Sequence, residues 1–148
     1  MIESLSNIPL EFSPGTARNY SVSIDVMGYL IQKLSGMRFG ESLRTRLFEP
    51  LGMTDTAFWC PPEKIGRFAS CYMPNGSGGL KLQDDAAIST YATPPNLESG
   101  GDGLVSSAHD DMRFCRMMRH GGALDGVQIL GCVDGFNQHQ SACKTDDG

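Results

Sequence analysis

Long apolar runs are absent from this sequence: no stretch approaches the ~18 residues that a membrane-spanning helix needs, so no span is expected. The first ten residues contain Glu3 and no basic segment leading into an apolar one, so a secretory signal peptide is not expected there either. Positive charge is scarce. With 12 Lys and Arg against 17 Asp and Glu, the net charge is −5, which argues against a general nucleic-acid binder and its usual basic footprint. Cysteine pairing signals are also missing. Cys60, Cys71, Cys115, Cys132 and Cys143 are odd in number and include no C-x-x-C pair, so the expectation is free thiols rather than a disulfide framework or a zinc ribbon.

Several catalytic signatures are missing as well: there is no G-x-S-x-G elbow, no H-E-x-x-H zinc pair, no Walker loop and no dinucleotide fingerprint. His109 and His120 fall near opposite ends of one predicted helix, too far apart along it to share a metal, and read as solvated or capping residues. The pairs Gly78-Gly79 and Gly100-Gly101 follow no convincing strand and lack the Lys-Ser/Thr ending of a phosphate loop. No metal and no cofactor are therefore expected.

What the chain does contain is 148 residues, 40% hydrophobic, enough for one modest core and short for a two-domain enzyme. After the turn residues Ser13-Pro14-Gly15-Thr16, the positions Met27, Leu30, Ile31 and Leu34 repeat with helical spacing. Asp25 lies in the first turn and Gly36 is placed to cap the end, which predicts a helix over Ser23 to Ser35. Glu41 to Phe48 reads as a second, shorter helix with Leu43 and Leu47 on one face, stopped by Pro50. From Thr54 to Gly103 periodicity is weak and Pro and Gly punctuate the chain, with short strands expected at Phe68 to Met73 and Leu80 to Leu82. A third helix begins after Ser107, which forms a capping box with Asp110, and ends at Gly121-Gly122. Phe114, Met117 and Met118 form its core face. Leu124-Asp125-Gly126-Val127 is a hairpin signal.

Three blocks, in order, carry the functional information: Pro14-Gly15-Thr16-Ala17-Arg18-Asn19-Tyr20-Ser21-Val22, then Leu47-Phe48-Glu49-Pro50-Leu51-Gly52-Met53-Thr54-Asp55-Thr56, then Ser99-Gly100-Gly101-Asp102-Gly103-Leu104-Val105-Ser106-Ser107. With this order and spacing the chain, over about Pro9 to Gly131, closely resembles the serine beta-lactamase and penicillin-binding-protein superfamily. The nearest likeness is to class C beta-lactamases and the carboxylesterases that share their fold. That resemblance implies the following. Residues 1–131 form a partial domain of mainly α character with loops and short β, the helical part of the α+β beta-lactamase/transpeptidase-like fold, truncated at both ends. In the intact form, a serine in an S-x-x-K motif attacks an ester or amide of a small-molecule substrate and forms an acyl-enzyme. Tyr20 falls on the tyrosine of the family's Y-x-N-like motif and takes the role of base, which needs nearby positive charge because a phenol's reference pKa is near 10. Ser99, Gly100 and Gly101 line the substrate cleft.

Two departures shape the reading. Val22 stands where a beta-lactamase of this group has asparagine, which removes an amide and favours an esterase-like member. The family's S-x-x-K lies many tens of residues before the tyrosine, so these 148 residues are expected to lack the nucleophile and to be inactive alone. A literal Ser141-Ala142-Cys143-Lys144 occurs in the wrong order relative to Tyr20, with no helical period after it, and is read as coincidence. Residues 132–148 diverge from the family pattern and are expected to be disordered or the product of a reading-frame slip. The alternative to a partial hydrolase is an inactive fragment or interaction module that keeps the helical scaffold, with apolar helix faces left exposed for self-association.

Overall fold

A computed structural model of the protein describes residues 2–131, so the expected tail, with Cys132, Cys143 and the Ser141 to Lys144 motif, lies outside the described residues. The short helix α1 (Ile2–Leu5), which the sequence reading did not anticipate, precedes a run of turns. Helix α2 spans Ser23–Ser35, and Gly36 closes it in the left-handed conformation (φ 70°), donating its N–H to the Gln32 carbonyl. Glycine adopts that conformation without the Cβ penalty that other residues meet, which is why the helix stops there.

The second predicted helix is composite and starts earlier than expected. Helix α3 (Phe39–Leu43) runs directly into a π-helical turn over Arg44–Phe48, in which Glu49 donates to the Arg44 carbonyl at 2.9 Å. Pro50 explains the widening. It has no N–H to continue the ladder, and its ring would meet the carbonyl one α-turn back, so the chain opens before it leaves the helix. Gly52, at φ 65°, then reverses the chain direction.

The long loop-rich stretch holds structure that the weak periodicity hid. It contains a 3-10 helix over Pro62–Arg67, the antiparallel pair β1 (Cys71–Pro74) and β2 (Leu80–Asp84), and a 3-10 turn over Thr90–Ala92. β1 begins later than Phe68 and β2 runs on to Asp84, while the expected pairing across the Gly-rich turn is present. Both strands are exposed along almost their whole length, so neither carries the alternation of a half-buried strand. Helix α4 (Ala108–Arg119) and the small hairpin β3 (Ala123–Leu124) and β4 (Val127–Gln128) complete the described chain. Asp125 and Gly126 both have positive φ, 50° and 81°, the geometry an Asp-Gly hairpin turn requires.

The main core gathers Phe48, Leu51, Met53, Met117 and Leu124, with Leu43, Leu47, Phe114, Met118 and Ile129 packed around it. Met117 and Leu51 are completely buried, so the apolar face expected for α4 is a core face. Phe39 and Phe58 stack at 5.7 Å between α3 and the following chain. α2 differs: of the residues that define its period, Met27, Leu30 and Leu34 are 52%, 45% and 79% exposed and Ile31 is half-buried, while Gly28 is its one buried residue. The stripe specifies the helix, but the described chain covers it only in part.

Asp110 corrects one local expectation. The Ser107 hydroxyl does accept from the Asp110 N–H, at 3.3 Å, as an N-cap should. The Asp110 carboxylate, however, does not reach back to complete a capping box. It is 1% exposed and accepts from the Asp55 N–H at 2.7 Å and the Thr56 hydroxyl at 2.9 Å. Ser106 in turn donates to Thr56 Oγ1 at 2.8 Å. The first turn of α4 is thus fastened to the turn that follows Met53. His109 stays largely in solvent with a 3.3 Å contact to Asp110, and His120 occupies the C-terminal cap position of α4.

Because Asp110→Ala strands the Asp55 N–H and the Thr56 hydroxyl in a buried site, we expect it to cost about 2–4 kcal/mol in urea denaturation. Leu51→Ala opens a cavity at a fully buried position and should cost a comparable 2–5 kcal/mol, roughly the range for such truncations. A loss below about 1 kcal/mol in either variant contradicts this account of the core.

Candidate active site

Tyr20 stands two residues before the cap of α2 on an exposed turn, with 98% of its surface in solvent. The preceding chain is tied locally by a hydrogen bond from Asn19 Nδ2 to Glu11 at 2.6 Å. The phenol is therefore not packed on the described core.

The loop carrying Ser99, Gly100 and Gly101 is held from both sides. Just before it, Glu98 accepts from the Gly40 N–H at 2.7 Å and pairs with Arg38 at 3.1 Å, setting a negative charge at the start of α3. The Ser99 hydroxyl donates to the carboxylate of Asp25, in the first turn of α2, and accepts from the N–H groups of Gly101 and Asp102 at 3.0 and 3.1 Å. Beyond the loop, Val105 and Ala57 exchange backbone hydrogen bonds at 2.8 and 3.1 Å. Ser99 thus organises the loop and ties it to α2.

Gly100 shows how close this approach is. A Cβ added there would lie 2.1 Å from the Ile24 carbonyl oxygen and 3.2 Å from the Gly28 nitrogen, both backbone atoms that have no freedom to yield. A Cβ on Gly28 would likewise meet the Gly100 nitrogen at 3.2 Å and the Phe39 ring at 3.3 Å. Two glycines facing each other let the loop lie directly on the helix. The two segments singled out from sequence, Tyr20 and the Ser99 to Gly101 loop, accordingly share the N-terminal end of α2. From sequence, Asp25 is only a first-turn charge of α2 and Glu98 carries no signal. Their spacing carries no motif, and only their polar type next to a glycine-rich loop hinted at a role.

A second constellation was not anticipated. On the 3-10 helix, Lys64 and Arg67 are three residues apart and so project from one side. Both reach Asp55, at 2.9 and 2.7 Å. The Arg67 guanidinium, and then the Lys64 ammonium, hold the Asp55 carboxyl down at about 2. Among the described residues there is no cluster of three or more His, Cys, Asp or Glu placed to hold a metal ion, and no helix long and apolar enough to cross a membrane. Cys60 is a buried free thiol, whereas Cys71 and Cys115 are exposed free thiols.

Gly100→Ala should push the loop off α2, lower the thermal midpoint by several degrees and expose Gly101 and Asp102 amides to faster hydrogen exchange. A Gly76→Ala control, where an added Cβ meets nothing within 4 Å, should leave both unchanged. Since the Asp55 carboxyl is depressed in the folded chain, its stabilising contribution is complete above its ordinary value near 4 and is lost as pH falls through about 2. An acid titration of stability should therefore weaken in that window for the native chain and less so for Asp55→Asn.

The beta-lactamase family model matches residues 1–131. The lovastatin esterase of Penicillium rubens is 34% identical over 154 aligned residues, covering 94% of this chain and 35% of that protein. Esterase EstB of Burkholderia gladioli is 27% identical over 133, covering 80% and 33%. Among solved structures, EstCE1, described as a hydrolase with promiscuous acyltransferase activity, superposes with a TM-score of 0.63 at 22% identity, over 84% of this chain and 36% of that one, a likeness of fold. The chain spans about a third of the length of the curated relatives it matches. Its helices and short strands are those of the beta-lactamase/transpeptidase-like fold, and the chain belongs to the beta-lactamase family of serine hydrolases.

Proposed function

We propose that this chain, joined to the rest of its family's fold, forms part of a serine esterase that works through an acyl-serine intermediate. The observation that carries the reading is the packing of the Ser99 to Gly101 loop onto the first turns of α2, which sets it beside the segment bearing Tyr20. In this reading an S-x-x-K serine attacks the ester carbonyl carbon while its proton is relayed through Tyr20 Oη to the amine of that motif's lysine, from which it returns by the same path. The alcohol leaves with that proton, and water then releases the acid. The Ser99 hydroxyl and the amides it holds keep the loop rigid, so that Gly100 and Gly101 line the cleft wall. Val22 in place of asparagine and the two esterase relatives support ester rather than lactam cleavage.

The full exposure of Tyr20 and the partial exposure of the α2 stripe favour a second reading for the 148 residues taken alone: a scaffold without turnover that associates through its apolar helix. Size-exclusion chromatography separates the two states of affairs. Concentration-dependent association is expected, and a sharp monomer peak with a cooperative melt contradicts it.

The 148 residues alone should give no burst with a nitrophenyl ester and no labelling by a phosphonate, since the covalent route needs the activated serine. In a chain completed with the family's flanking segments, Tyr20→Phe should lower kcat by about 10²–10⁴. Unchanged turnover there removes Tyr20 from the mechanism.

A further inference from the structure

The tip of the β1 and β2 hairpin carries the one Asn-Gly pair of the sequence, Asn75-Gly76. The order matters chemically, because the backbone nitrogen that follows an asparagine can attack its side-chain carbonyl carbon, and a following residue without a Cβ leaves that approach uncrowded. The other asparagines, Asn7, Asn19, Asn96 and Asn137, precede Ile8, Tyr20, Leu97 and Gln138 instead.

The fold leaves the attacking nitrogen open. Asn75 and Gly76 are both exposed, and a Cβ added to Gly76 would meet nothing within 4 Å. The turn is closed around the pair: the Asn75 N–H donates to the Gly79 carbonyl at 2.8 Å and the Gly78 N–H to the Asn75 carbonyl at 3.2 Å. The Gly76 N–H has no acceptor among the described residues. The Asn75 amide is oriented as well. Its Oδ1 accepts from the Ser77 N–H at 3.2 Å and the Gly79 N–H at 2.7 Å. Donors on that oxygen polarise the carbonyl and stabilise the negative charge it gains when its carbon is attacked. Nδ2, the group that must leave, has room because Gly79 is bare: a Cβ there would stand 3.0 Å from it.

We propose that Asn75 is a site of self-modification, where the Gly76 nitrogen closes a succinimide on Asn75 Cγ and water reopens it to aspartate or isoaspartate. Gly76 N loses its proton to solvent and forms the N–Cγ bond. The Cγ–Nδ2 bond then breaks, and Nδ2 takes a proton from water and leaves as ammonia. Water splits the ring at Cγ to give aspartate, or at the main-chain carbonyl to give isoaspartate, whose backbone runs through Cβ. Nothing is oxidised or reduced, and a water is consumed for each ammonia released. Either product adds a negative charge to a chain of net charge −5, and isoaspartate lengthens the backbone where Asn75 closes the hairpin onto Gly79. The modification does not depend on the hydrolytic reading.

The full 148-residue chain, held in warm, mildly alkaline buffer and followed by anion exchange and tryptic mass mapping, tests this. A more acidic species should accumulate with release of ammonia, the change falling in the tryptic peptide of residues 68–81 as a mixture of aspartate and isoaspartate. Asn7, Asn19, Asn96 and Asn137 should keep their amides over the same time. Gly76→Ala, whose new Cβ has open space, should slow conversion about tenfold, equivalent to roughly 1.4 kcal/mol of added barrier. Equal rates in the parent and Gly76→Ala chains overturn the proposal, because water would then be attacking the amide without the Gly76 nitrogen. An intact Asn75 in buffer beside a converted one in urea also overturns it, since the turn would then protect the amide, and so does an Asn75 that persists in both.

Discussion

The buried carboxylate of Asp110 is the contact on which the rest of the described structure depends. A charge removed from water is tolerated only when its lone pairs are satisfied, and here the donors come from the turn that follows Met53. That requirement joins two segments more than fifty residues apart in the chain. It sets the first turn of α4 against the Thr54-Asp55-Thr56 turn and so brings Met117 over Leu51 and Met53. From Thr56 the network passes to Ser106, and one step further Ala57 pairs with Val105. The backbone so fixed is the one that leads out of the Ser99 to Gly103 loop.

The same clasp orders the two regions with chemical potential. On one side, the loop reaches α2 through Ser99, Asp25 and the glycine contact, and Glu98 anchors its entry to α3. On the other, Asp55 gathers Lys64 and Arg67 from the 3-10 helix. Neither arrangement needs a large core. Each is a short loop held by charge-assisted hydrogen bonds to a helix terminus or a tight turn, which suits a chain whose secondary structure is short and whose connections are long.

Family membership and the exposed stripe of α2 fit together physically. An amphipathic helix normally hides the face that gives it its period. In α2 the small residue Gly28 makes the intimate contact, with the loop, while Met27, Leu30 and Leu34 face outward. The chain spans about a third of the length of the curated relatives it matches.

The extent of α2 and α4, the Ser107 cap, the Gly36 stop and the Asp125-Gly126 hairpin were legible in the sequence, because each depends on neighbours within about four residues. The three family blocks were legible for a related reason: glycine and proline turns keep their order and spacing along the chain. The destination of each side chain was decided by tertiary structure alone. Asp110 has the sequence context of a capping residue, yet it serves Asp55 and Thr56. Gly100 reads from the family likeness as a residue lining the cleft, and its missing Cβ is what lets the loop touch Ile24. Lys64 and Arg67 belong to no motif in the sequence, yet they converge on one carboxylate. Local period reports which way a residue faces on its own element, and only the closure of long loops determines what stands opposite it.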